Sequence, residues 1–163
     1  MNILFVCTGN TCRSSMAEGI FKYLLKNNNI DNINAASAGI SALNGDKANE
    51  KAVSVLKKQG IDITGHKARQ ITNEIIETSN LILTMTYNHK VLIRKYAPEA
   101  SEKVFTLKEF ANIVNDDTFN NKLDIDDPYG MDYDVYEQSM EEIKAELEKI
   151  IKNIDELSTM EEK

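Results

Sequence analysis

Cysteine is scarce in this sequence, and the scarcity excludes a fold held together by disulfide bonds. Only two of the 163 residues are cysteines, Cys7 and Cys12, and both lie in one short segment. Two cysteines so close together do not form the disulfide framework of a small secreted protein, and a reactive thiolate requires reducing surroundings. His66 has no cysteine or histidine at ligand spacing, which argues against a metal site. We therefore expect a cytoplasmic location and no bound metal.

Long apolar runs and an excess of positive charge are also absent. No run approaches the length that spans a membrane, and because the chain starts directly with a strand-like segment we expect no signal peptide. The 26 acidic residues outnumber the 19 basic ones, and the net charge of −7 argues against binding to nucleic acid or to acidic membranes. A length of 163 residues and a hydrophobic content of 42% are typical of one soluble globular domain. We expect this domain over residues 1–157 and a frayed C-terminal tail over residues 158–163.

Strand-like apolar runs alternate with segments of helical spacing along the chain. The pattern predicts strands at 3–6, 34–37, 81–85 and 104–106, and helices at 14–26, 48–59, 73–78, 87–96 and 136–157. Strands that alternate with helices favour a parallel sheet covered on both faces. The predicted fold is therefore α/β, a single-domain three-layer arrangement in which helices flank a four-stranded parallel sheet. Ligands of such folds bind beyond the carboxyl ends of the strands.

The segment from Cys7 to Ser14 connects the first predicted strand to the first predicted helix and reads Cys-Thr-Gly-Asn-Thr-Cys-Arg-Ser. A loop of this kind directs backbone N–H groups and the positive end of the helix toward one point, which makes it an anion site. Neither of the glycine patterns that bind nucleotides is present. Ser14 or Ser15 is placed to cap the helix.

Two side chains make this anion site a candidate reaction centre. The loop amides, the helix dipole and Arg13 all favour the thiolate form of Cys7, and Ser14 is placed to donate a hydrogen bond to the sulfur. Arg13 offers a planar fork that matches two phosphate oxygens. The chain has three arginines against sixteen lysines, which indicates that an arginine serves here for its geometry. A thiolate beneath a bound phosphate is suited to phosphoryl transfer through a phosphocysteine. The alternative is that Cys7 fills a small buried space and Arg13 is an ordinary surface charge.

A phosphocysteine mechanism also needs a proton donor for the leaving group. Asp124, Asp126 and Asp127 lie in a loop-like segment before Pro128, and neighbouring carboxylates raise one another's affinity for protons. The spacing does not choose among the three aspartates. A solvated acidic turn would have the same composition.

Cys7 to Ser14, followed by Ser-Met-Ala-Glu, resembles the signature of the low-molecular-weight protein tyrosine phosphatase family, closest to its bacterial protein arginine phosphatase branch. The resemblance implies a cysteine-dependent phosphatase that needs no cofactor, acts on phosphorylated proteins and releases inorganic phosphate. It implies that the general acid is the aspartate directly before proline and an aromatic residue, Asp127. It also implies that Asn10 is braced by Ser37 and His66, and that substrate is bound by Thr8, Gly9, Asn10, Thr11, Cys12 and Tyr129.

The residues around the loop bear on the choice of substrate. Tyr129 is expected to form one aromatic wall of a phosphotyrosine pocket, but the loop at 40–46 has no aromatic residue for a second wall. The resemblance places Thr11 where tyrosine-directed relatives carry a bulkier aliphatic residue and the arginine-directed branch carries threonine. Asp126 or Asp132 is expected to attract the charge of a guanidinium. We therefore expect phosphoarginine as the substrate, with phosphotyrosine as the alternative.

The cysteine count and the set of reactive residues also bear on two other functions. An arsenate reductase of the thiol-coupled type needs two more cysteines than this chain has, and an inactive phosphate-binding module would not need the full set of reactive residues. Cys12 either fills space or traps an oxidised Cys7 as a reversible disulfide. We expect His89 to lie on the surface and Arg69 to form a structural ion pair.

Overall fold

The computed structural model describes residues 1–114 and 122–154. The predicted tail at 158–163 and the predicted end of the last helix at Leu157 lie outside the described residues. The domain boundary at residue 157 therefore stays a prediction.

In the part of the chain that the structure describes, four parallel strands form the sheet. They are β1 (Asn2–Cys7), β2 (Asn34–Gly39), β3 (Leu81–Thr84) and β4 (Val104–Thr106). Their order across the sheet is β2-β1-β3-β4, so that β1 is a central strand, and all the pairings are parallel. Every residue of β1 after Asn2 is buried, as expected for a parallel strand covered on both faces.

Within the described residues, six α-helices and one 3-10 turn connect and cover the strands. They are α1 (Arg13–Asn27), α2 (Glu50–Lys58), α3 (Asn73–Thr78), α4 (Tyr87–Tyr96), α5 (Leu107–Val114) and α6 (Tyr133–Lys152), with the 3-10 turn at Pro98–Lys103. On one face Ile3 and Phe5 pack in a large apolar cluster with residues of α1, α2, α5 and α6. On the other face Leu4 and Val6 pack with residues of α3 and α4. The predicted three-layer α/β fold with a four-stranded parallel sheet is confirmed.

Some of the predicted boundaries are wrong. The sequence analysis did not predict α5, although Leu107, Phe110, Ala111 and Val114 are buried at helical spacing within it. Helix α6 begins at Tyr133, three residues before the predicted start. Neither Ser14 nor Ser15 caps α1, because the helix already begins at Arg13. Instead Ser15 Oγ donates to the carbonyl of Cys12 at 2.8 Å.

The end of β1 and the end of β2 meet at the loop that follows Cys7. Gly39 pairs in register with Cys7, and the chain after it is tied to the loop because Ser41 N–H donates to the carbonyl of Thr8 at 2.9 Å. The backbones come so close that a Cβ on Gly39 would lie 2.5 Å from the carbonyl oxygen of Thr8 and 3.0 Å from the nitrogen of Asn10. Residue 39 must therefore be glycine for the loop to keep this position.

We expect Gly39→Ala to lower the free energy of unfolding by about 1–3 kcal/mol, because the added methyl group meets backbone atoms that do not move freely. Urea unfolding measures the change. Gly65→Ala is the matched control, since a Cβ there has no neighbour within 4 Å. Equal stability of the two variants would contradict the close approach described at Gly39.

Candidate active site

The loop between β1 and α1 places the sulfur of Cys7 among hydrogen-bond donors. The backbone N–H of Asn10 donates to Cys7 Sγ at 3.3 Å, and Ser14 Oγ lies 2.9 Å from the same sulfur. Asn10 Nδ2 in turn donates to Ser14 Oγ at 2.9 Å. Because that amide donates to Ser14, the hydroxyl proton of Ser14 is free to point at Cys7. These contacts suit a sulfur that carries negative charge.

Asn10 holds the loop in its shape. It is fully buried and has φ of 58°, a left-handed conformation that Asn adopts more readily than most residues. Its Nδ2 donates to Ser37 Oγ at 2.8 Å, its Oδ1 accepts from the backbone N–H of Arg69 at 3.0 Å, and its carbonyl accepts from His66 Nε2 at 2.7 Å. Ser37 and His66 thus both contact Asn10. The side chain of Asn10 itself does not line the cavity above Cys7.

Glu18 and Arg69 complete the hydrogen-bond network around Asn10. Ser37 Oγ donates a short hydrogen bond to Glu18, and His66 Nδ1 lies 3.9 Å from the same carboxylate. Arg69 was predicted to form an ion pair, which is wrong. In the described part of the chain its guanidinium donates instead to the carbonyl of Ser37 at 2.9 Å. The acceptor of the Arg69 guanidinium is therefore a backbone carbonyl of β2 and not a carboxylate.

Arg13 is buried under the loop, with 4% of its surface exposed. Its Nη1 donates to the carbonyl of Ile125 at 2.9 Å, and its Nη2 lies 3.3 Å from Asp127 Oδ2. Its Nε is buried and has no hydrogen-bond partner among the described residues. A buried N–H without an acceptor is unfavourable, so this donor is well suited to an anion that binds in the loop.

The structure separates the three candidate aspartates. Asp124 Oδ1 accepts from the backbone N–H of Tyr87 at 2.7 Å, and Asp126 Oδ2 pairs with Lys122 at 3.0 Å. Asp127 lies beside Arg13, is half-exposed, and accepts from the backbone N–H of Tyr129 at 3.1 Å. Of the three, only Asp127 lines the cavity that contains Cys7.

This cavity has a volume of about 280 Å³. It joins the loop from Cys7 to Ser14, named here the phosphate loop, to two other segments of the chain. Tyr129 lies at the rim of the cavity, with 71% of the residue exposed. Asp132, predicted as an acidic residue of the mouth, does not line the cavity. The segment after β2 contributes three residues that the sequence analysis did not select, Ser41, Leu43 and Asp46. The full lining is Cys7, Thr8, Gly9, Thr11, Cys12, Arg13, Ser41, Leu43, Asp46, Asp127 and Tyr129.

Cys12 is buried next to the cavity and faces a phenol. Its Sγ lies 3.3 Å from Tyr136 Oη and 3.8 Å from Thr11 Oγ1. Burial raises the pKa of the Cys12 thiol, and burial followed by this contact raises the pKa of the Tyr136 phenol. Both groups therefore stay protonated near neutral pH, which makes Cys12 a poor nucleophile as it stands. A redox role for Cys12 stays a prediction.

His89 was predicted to lie on the surface, which is wrong. Only 5% of it is exposed, and its Nε2 lies 2.9 Å from Thr8 Oγ1, behind the start of the loop. Burial, and secondly the charge of Arg13, lower the pKa of His89 from 6.5 to about 4. His89 is therefore neutral near pH 7. Its helical surroundings in the sequence gave no sign of this, because the loop that covers it lies about 80 positions earlier in the chain.

We expect His89 to make the protein sensitive to acid. The unfolded chain binds a proton at this residue below about pH 6.5 and the folded chain only near pH 4, so stability falls as the pH drops through this window. Between about pH 7 and pH 4.5 the loss attributable to His89 is about 2–3 kcal/mol. Urea unfolding of wild type and His89→Gln at both pH values measures it. An equal acid-dependent loss in the two proteins would contradict a neutral buried histidine.

The described residues form neither a metal site nor a membrane-spanning helix. In the ranges 1–114 and 122–154, no group of His, Cys, Asp and Glu residues is arranged to hold a metal ion. Within the same ranges, no helix combines the length and apolar character needed to cross a membrane.

The amino-acid sequence of this chain is similar to those of known phosphatases. The family model described as low molecular weight phosphotyrosine protein phosphatase matches residues 2–159. A protein-arginine-phosphatase of Bacillus subtilis (strain 168) is 37% identical, with 94% of this chain and 97% of the relative covered.

Solved structures extend the comparison to the fold. A cysteine-to-serine mutant of the YwlE arginine phosphatase, with a phosphorylated active-site serine, has a TM-score of 0.89 at 35% identity, covering 98% of this chain and 99% of that one. A low molecular weight protein tyrosine phosphatase from T. tengcongensis has a TM-score of 0.84 at 42% identity, covering 93% of this chain and 98% of that one. Since sequence and structure match over nearly the whole length, this chain belongs to the low-molecular-weight protein tyrosine phosphatase family, a family of cysteine-based protein phosphatases.

Proposed function

We propose that this protein hydrolyses phosphoarginine side chains of proteins through a phosphocysteine intermediate. The observation that carries the proposal is the position of the Cys7 sulfur in a cavity that Arg13 and Asp127 also line. A nucleophile, a cationic fork and a carboxylic acid in one cavity are what phosphoryl transfer to a cysteine requires.

In the first step the sulfur of Cys7 attacks phosphorus, and the bond from phosphorus to the leaving group breaks. Arg13 and the loop amides stabilise the negative charge of the transferring phosphoryl group, with the buried Nε of Arg13 as the available donor. Asp127 gives its proton to the leaving nitrogen, so that a neutral or protonated guanidine departs rather than an anion.

In the second step water attacks the phosphorus of the phosphocysteine. Asp127, now a carboxylate, takes a proton from that water, the bond from phosphorus to sulfur breaks, and inorganic phosphate leaves. Cys7 leaves as a thiolate, which hydrogen bonds from Ser14 and from the N–H of Asn10 favour. The site returns to its starting state without a cofactor.

Three observations support phosphoarginine as the substrate. A relative that is 37% identical over 154 residues is named a protein-arginine-phosphatase. Thr11, small and polar, lines the cavity together with Asp46, a carboxylate that suits a cationic side chain, and Asp127, the proton donor. The segment after β2 contributes Ser41 and Leu43 to the cavity and no aromatic ring.

Phosphotyrosine is the second candidate. Tyr129 offers one exposed aromatic ring at the rim, against which a phenol ring would stack. A structural relative that is named a tyrosine phosphatase is 42% identical, so overall identity does not choose between the two substrates.

The test compares kcat/KM for phosphoarginine and phosphotyrosine in peptides of otherwise identical sequence. We expect wild type to prefer phosphoarginine, and Thr11→Ile to lose about tenfold on phosphoarginine, because the bulkier apolar side chain removes a polar contact and fills space. Thr11→Ser keeps the hydroxyl and serves as the control, with little expected change in the preference. A preference for phosphotyrosine in all three proteins would contradict the proposed substrate and would leave the cysteine mechanism in place.

A further inference from the structure

The carboxylate of Asp46 lies at the mouth of the cavity and takes no part in the two reaction steps described above. It lines the same cavity as Cys7, on the segment after β2, whereas Asp127 comes from the segment before α6. A negative charge placed near the binding site of a phosphate dianion repels it, unless the substrate also carries positive charge. The position of Asp46 therefore bears on which phosphorylated side chains the site accepts.

The backbone of Asp46 is fixed in place. Its N–H donates to the carbonyl of Leu43 at 3.1 Å, and its own carbonyl accepts from Ala68 N–H at 2.7 Å. The preceding residue, Gly45, has φ of 92° and donates to the carbonyl of Ala68 at 2.8 Å. The turn is thus attached to the same stretch of chain that supports Asn10. The backbone that carries the Asp46 side chain is therefore held by hydrogen bonds on both sides of the peptide unit.

The carboxylate of Asp46 is exposed, and no hydrogen bond or ion pair to it is found in the described part of the chain. The other aspartates around the site differ in this respect. Asp124 accepts from a backbone N–H, Asp126 pairs with Lys122, and Asp127 lies beside Arg13. Asp46 is therefore the carboxylate of the mouth that has its full charge available for a ligand.

We propose that Asp46 is a specificity-determining residue that binds the positively charged guanidinium group of the substrate and disfavours phosphorylated side chains without a positive charge. This inference rests on the proposed function and deepens it. Guanidinium groups bind carboxylates through their planar fork, so the charged carboxylate of Asp46 adds affinity for an arginine side chain. A phosphotyrosine side chain has no positive charge that could pair with Asp46, and the carboxylate repels its phosphate. Asp46 therefore disfavours the binding of phosphotyrosine.

The test uses Asp46→Asn, which removes the charge and keeps the size, with the matched phosphoarginine and phosphotyrosine peptides. We expect kcat/KM for phosphoarginine to fall about 3- to 10-fold, as for the loss of a partly exposed charged contact, and kcat/KM for phosphotyrosine to stay equal or rise. The effect should shrink at high ionic strength, because salt screens exposed charges. An unchanged ratio of the two values would overturn the proposal.

Asp31→Asn is the matched control. Asp31 is exposed, lies between α1 and β2 and does not line the cavity, and the substitution removes the same charge from the protein. We expect it to leave the ratio of the two kcat/KM values unchanged. An equal shift in Asp31→Asn and Asp46→Asn would mean that only the net charge matters, and would overturn a role for Asp46.

A binding measurement separates this inference from the proposed function. An unphosphorylated arginine peptide is tested as an inhibitor of p-nitrophenyl phosphate hydrolysis by wild type and by Asp46→Asn. Weaker inhibition of the variant supports a guanidinium subsite at Asp46, even if wild type fails to hydrolyse phosphoarginine and the proposed function is wrong. Equal inhibition of the two proteins, in an enzyme that does hydrolyse phosphoarginine, overturns the subsite alone.

Discussion

The left-handed conformation of Asn10 is the constraint on which the phosphate loop depends. A residue with a side chain adopts φ of 58° at a cost of about 1–2 kcal/mol, so other contacts must hold it there. Hydrogen bonds from Arg69 and His66 and to Ser14 and Ser37 do so, each contributing about 0.5–1.5 kcal/mol. With Asn10 in this conformation, its own N–H points at the sulfur of Cys7. The chemistry of the cysteine thus depends on contacts from α1, from β2 and from the segment before α3.

The fold and the reactive groups of the site were largely predictable because local pattern decides them. The buried run of β1 and the loop that follows it place Cys7 at the carboxyl edge of a parallel sheet, where such folds bind ligands. Arg13 belongs to the same short segment, so its proximity to Cys7 follows from the sequence alone. The prediction of Asp127 as the general acid required the family resemblance. The three aspartates lie within four positions, so their spacing does not distinguish them, and they differ only in their tertiary contacts.

The residues that the sequence analysis missed are those whose roles arise from distant parts of the chain. His89 looks like any polar residue on an amphipathic helix, and only the fold brings the loop at Thr8 against it. Asp46 lies in a loop that was expected to flank the site, but no pattern indicated which of its residues faces the cavity. Helix α5 is a different case, since its apolar spacing was present in the sequence and was overlooked.

The proposed mechanism requires that the phosphoryl group passes through Cys7, and trapping the phosphocysteine tests this requirement. Asp127→Asn, given an aryl phosphate with a good leaving group, should form the phosphocysteine readily and hydrolyse it slowly, because water then lacks its base. Mass spectrometry after rapid acid quenching should find one added phosphoryl group on Cys7, more abundant in Asp127→Asn than in wild type. Continued turnover by wild type, with no phosphoryl group on Cys7 in either protein, would contradict the mechanism.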